Sequence, residues 1–165
     1  MTGGILRVVG AALLLMAATG FIRLYRAYLH TRVAFFDEFI SLIGDLRRHI
    51  STHRGSVAGV VAAHSGGKLG EIGFATAYKA SGSLYKAFSE VRGRISMPED
   101  ALRSLEEYFR TYGTGYTADE LSAADGEIAT LERMAASEKE ASLRSQKAAS
   151  ATAVAIALGL VVLLV

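Results

Sequence analysis

Residues 35–50 read FFDEFISLIGDLRRHI, and the spacing of their large apolar side chains decides between strand and helix. Phe36, Phe39, Ile40, Ile43, Leu46 and Ile50 recur at intervals of three and four, never two, so they share one stripe of an α-helix. Arg54 and Gly55 mark its end. The same period governs the neighbouring downstream segments. SVAGVVAAHSGG (56–67) predicts a short helix closed by Gly66 and Gly67, and KLGEIGFATAYKASG (68–82) another, closed around Ser81 and Gly82. In SLYKAFSEVRGRI (83–95), Leu84, Phe88, Val91 and Ile95 fall in register.

SMPEDALRSLEEYFRTYG (96–113) carries a capping box, Ser96 with Glu99, and a proline in the first turn, where its missing N–H costs nothing. Leu102, Leu105, Tyr108 or Phe109, and Tyr112 continue its apolar face. A second box, Thr117 with Glu120, opens a helix striped by Leu121, Ala124, Ile128, Leu131 and Ala135. No proline interrupts it thereafter, so it predicts a single rod on the order of 70 Å. About six helices with matched stripes and short connections make an all-α fold, an antiparallel bundle.

Outward from this body the charge disappears. Of 18 basic and 16 acidic residues, all but Arg7 lie between Arg23 and Lys147. GGILRVVGAALLLMAATGFI (3–22) and the run 148–165, ending SATAVAIALGLVVLLV, each approach the roughly 20 apolar residues that a helix needs to cross a bilayer. The expected organisation is a transmembrane helix over 1–22, a helical body over 23–147 and a second transmembrane helix over 148–165. A cleaved signal peptide is the other reading of the first run, but no small-x-small site precedes its aromatic and basic residues. A buried core helix is the other reading of the last, which has no polar stripe. Arg23, Arg26 and Arg32 follow the first run, and Lys139, Arg144 and Lys147 precede the second, so the positive-inside rule puts the body on the cytoplasmic side. The absence of cysteine suits a reducing compartment and an unbridged exported domain alike.

Chemistry-bearing patterns are sparse. AHSGGKL (63–69), preceded by Ala62, lacks the first glycine and the final hydroxyl of a phosphate loop, at Ala62 and Leu69. Gly113 and Gly115 in YGTGYT read as a turn between helices. Asp45, His49 and His53 share a helix face that could hold a metal, but Arg47, Arg48 and Arg54 crowd the same turns, and a solvated face is the reading preferred. No nucleophile–base signature is present, and no catalytic residue, cofactor or metal site is expected. A net charge of +2 with interspersed signs argues against nucleic acid as a partner. A bundle that binds proteins remains.

RLYRAYLHTR (23–32), the run from Tyr108 to Ser150, YFRTYGTGYTADELSAADGEIATLERMAASEKEASLRSQKAAS, and the terminal ALGLVVLLV together resemble the stage III sporulation protein AB family of endospore-forming bacteria. Thr114 stands where the family turn has leucine, and Tyr85 near where it has tryptophan. The resemblance implies a bundle similar to the cytoplasmic domain of the type II secretion and type IV pilus inner-membrane platform protein. It implies a component of the channel between mother cell and forespore, in the outer forespore membrane facing the mother cell, beside a cytoplasmic ATPase and other channel proteins. The expected function is a non-catalytic platform that docks the ATPase, with no small-molecule substrate. Glu99 and Asp100, and Asp119 and Glu120, are the candidate partner-binding acids, each pair also suited to offset a helix dipole. A pilus or secretion platform outside sporulation and a two-span membrane sensor are the competing readings.

Overall fold

The computed structural model describes the backbone of residues 2–52 and 55–164. Side chains are described for these except residues 2–9, 11, 12, 14, 15, 18, 26, 146, 149, 150, 153, 154, 157, 158 and 160–164. Among the described residues the fold is all-helical, with seven α-helices. These are α1 Thr2–Thr52, α2 Val57–Ala63, α3 Lys68–Glu71, α4 Phe74–Ser81, α5 Leu84–Val91, α6 Glu99–Thr111 and α7 Thr117–Leu164, with a 3-10 turn Arg92–Arg94 after α5. The chain divides into two compact units, one of residues 31–137 and one of 1–30 with 138–165.

The 31–137 unit is a bundle with an aromatic centre. Phe39 of α1 meets Phe74 of α4, Phe88 of α5 and Phe109 of α6 at ring-centroid distances of 6.3, 5.9 and 6.2 Å. Phe109 in turn meets Phe74 at 6.1 Å and Phe88 at 5.5 Å. All four rings are buried, and their mutual angles are edge-on or tilted, as ring quadrupoles prefer. Four helices are thereby keyed to one point. Most of the predicted stripes line this core, including Phe36, Ile43, Leu46, Leu84, Val91, Ile95, Leu102, Leu105, Ala124 and Leu131. Phe35 and Leu42 are buried too, outside the stripe, because several helices enclose this part of α1.

The predicted helix over 68–82 is two helices. Gly73 takes φ +84°, a conformation that side chains rarely adopt, and separates α3 from α4. Arg94 holds this break by donating to the Ile72 carbonyl at 2.9 Å. The start of α3 is held from α1, where the Glu38 carboxylate accepts the Lys68 N–H at 2.5 Å and the Leu69 N–H at 2.8 Å. A side chain at Gly67 would collide with that carboxylate.

In the other unit, the Tyr25 and Ser145 hydroxyls lie 2.5 Å apart, and Phe21 stacks on Tyr25 at 6.1 Å. The expected spans, 1–22 and 148–165, fall largely on side chains outside the described set. Among the described residues no helix is long and apolar enough to cross a membrane.

Candidate partner-binding site

The two acidic pairs open the two helices of a hairpin, α6 and α7. Ser104 donates to Glu127 Oε2 at 2.7 Å midway along it, and Tyr112 lies near Glu120 at its closed end, so the helices run antiparallel. The start of α6 and the start of α7 therefore sit at opposite ends, about 20 Å apart by the rise of α6. The structure does not bring Glu99 and Asp100 together with Asp119 and Glu120.

Neither predicted capping box forms as expected. Pro98 is the N-cap of α6, its carbonyl accepting the Leu102 N–H at 3.0 Å, and its own side chain makes no capping bond. Ser96 stands too early to reach in, because the extended proline occupies the cap position. Glu99 turns to Arg92, which also approaches Glu106 at 3.6 Å, while Asp100 Oδ1 accepts the N–H of its neighbour Ala101 at 3.0 Å. At the second start Thr117 is already helical, and the Tyr116 carbonyl accepts the Glu120 N–H at 3.0 Å. Glu120 Oε1 reaches back to the Gly115 N–H at 3.1 Å. Gly113, at φ +82°, makes the turn before it.

Asp119 is exposed, and no partner for it is found among the described residues. Tyr116, 85% exposed, stands near it at the tip. Glu99 and Glu120 are thus engaged within the chain, Asp100 is exposed with one oxygen on the Ala101 N–H, and Asp119 is exposed at the other end.

Between the ends lies a cleft of about 560 Å³ whose walls include Asp100, Arg103, Ser104, Glu107, Tyr108 and Glu127. Glu127 is a carboxylate on the inward stripe that no sequence motif marks. It lies three residues after Ala124 and four before Leu131, on the apolar face itself, and that position is the signal that could have found it. Burial raises its pKa, and the Ser104 hydrogen bond pulls the other way. Its Oε1 and the Tyr108 hydroxyl are both buried, and among the described residues neither has a hydrogen-bond partner. Burial, with Tyr112, Glu120 and Glu127 nearby, raises the Tyr108 pKa as well, and Tyr112 is pushed up to about 12, chiefly by burial.

The rejected chemical motifs have other employment. The amides of the glycine-rich turn that looked like a phosphate loop are taken by Glu38, and the Lys68 ammonium by Glu71 at 2.6 Å. Asp45 pairs with His64 Nε2 and with Arg48, each at 3.1 Å, and His53, the far member of the weighed metal set, lies outside the described residues. Among the described residues no group of three or more His, Cys, Asp or Glu side chains could hold a metal ion. Compared with known protein families, curated proteins and solved structures, the chain has no significant match.

Proposed function

We propose that this chain is a non-catalytic, membrane-tethered platform of the stage III sporulation protein AB kind, whose helical body docks a cytoplasmic ATPase of the sporulation channel. The observation that carries the reading is helix continuity. α1 and α7, which supply Phe39 and Leu131 to the core, are the same helices that contain the two apolar terminal runs. The body and the apolar runs are thus joined within single helices, with no separate linker segment between them. That is what a platform beneath a motor requires. The outer forespore membrane, with the body toward the mother cell, is the corresponding location.

Docking falls to the exposed carboxylates at the hairpin's ends, Asp100 and Asp119, with Glu99 and Glu120 holding the ends in shape. The test is a pull-down of the ATPase by the full-length chain. Asp100→Lys with Asp119→Lys is expected to weaken capture at least tenfold, whereas Glu99→Gln and Glu120→Gln act only through local stability. Undiminished capture by the double reversal removes these residues from the proposal. Carbonate extraction checks the tether: a chain released from membranes as a soluble species refutes the platform altogether.

A further inference from the structure

We propose that the surface around the Tyr25–Ser145 contact is a collar for the headgroups of anionic phospholipids, a reading that rests on the membrane-tethered platform. The hydroxyl contact, 2.5 Å long, joins a turn of α1 to a turn of α7. Arg23 and Arg26 on α1, and Arg144 and Lys147 on α7, each stand within two residues of it, hence within about 3 Å of rise along their own helix. Carboxylates are scarce there. Asp37 is the first acid of the chain and Glu140 the last, and Glu140 is held by Arg144 at 2.5 Å. Arg23 and Lys147 are exposed, and no ion pair to either is found among the described residues.

Beside these cations stand Leu24, Phe21 and Tyr28, exposed to 74, 58 and 54%. A nucleic acid or an acidic peptide would answer the charge but leave this apolar and aromatic surface in water. The boundary between headgroups and acyl chains answers both, because aromatic rings and apolar side chains settle there while arginine and lysine reach the phosphates. Each basic side chain near an anionic surface raises local lipid affinity about fivefold, and the effect is screened by salt.

The full-length chain, reconstituted in phosphatidylcholine vesicles with and without phosphatidylglycerol and carrying spin-labelled analogues of both lipids, tests the inference. At low salt the protein-restricted fraction is expected to favour phosphatidylglycerol about fivefold. The preference shrinks with added salt and falls near unity in the variant R23Q/R26Q/K147Q, whose glutamines keep helix propensity. Equal restriction of the two lipids, or an unchanged preference in the variant, overturns the collar and leaves the tether standing. A chain that floats with neither kind of vesicle overturns tether and collar together.

Discussion

Replacing Phe39 with alanine removes a ring that touches three others, each from a different helix. Phe39 is 0% exposed, so the change loses the full transfer free energy of a benzyl group and leaves a void. Buried Phe→Ala substitutions cost about 3–5 kcal/mol, the spread reflecting how far neighbours relax into the space. Here Phe74, Phe88 and Phe109 are anchored in α4, α5 and α6, and Phe109 braces the other two at 6.1 and 5.5 Å, so no single helix can close the gap. We therefore expect a loss of about 4–5 kcal/mol. Against a total stability of about 5–15 kcal/mol this is a large share. Phe39→Leu, which keeps most of the volume, should cost about 1.5 kcal/mol. Leu121→Ala, on a half-exposed position outside the cluster, is the comparison. Guanidinium titration of the full-length chain in mild detergent, followed by near-ultraviolet circular dichroism of the aromatic residues, measures all three. If Phe39→Ala costs no more than Leu121→Ala, the aromatic centre is not what holds the bundle and the reasoning fails.

Three further outcomes rest on particular contacts. Tyr108→Phe deletes a buried hydroxyl with no partner among the described residues, so it should leave stability unchanged or raise it by about 1 kcal/mol, and a loss above that in the same titration would reveal a bond to Tyr108. Glu127 has a folded pKa raised above the ordinary 4.5, so its contribution is complete below the unfolded value and is lost as pH rises through the folded one. Stability measured from pH 4 upward should thus decline more steeply in the native chain than in Glu127→Gln, and parallel pH profiles would contradict the burial of this group. Gly67→Ala sets a methyl against the Glu38 carboxylate and should cost about 1–3 kcal/mol by breaking the cap on α3, whereas Gly66→Ala, with open space around it, should stay within about 0.5 kcal/mol. Thermal melts showing equal losses for the two would disprove the Glu38 seat.

The helices and their inward stripes were legible because a three-to-four period is a local property. Phe36, Phe39 and Leu46, or Leu84, Phe88 and Val91, announce their face without knowing what covers it. The candidate acids were legible as helix starts for the same reason, though not their fate. Glu99 goes to Arg92 and Glu120 to Gly115, leaving Asp100 and Asp119 exposed, a sorting that depends on where the preceding turn delivers the backbone. Gly73 and Gly70 look alike within KLGEIG, yet of the two only Gly73 adopts a positive φ, because the chain must turn there.

All-helical character, the polar body between apolar ends and the faces turned inward are consequences of neighbours along the chain, and periodicity reports those directly. The meeting of four phenylalanines at one point, the capture of the Lys68 and Leu69 amides by a glutamate some thirty residues earlier, and the separation of the two acidic pairs to opposite ends of a hairpin are relations between different helices. Their energies arise only when distant helices close around the same space, and no local pattern carries the coordinates of that space.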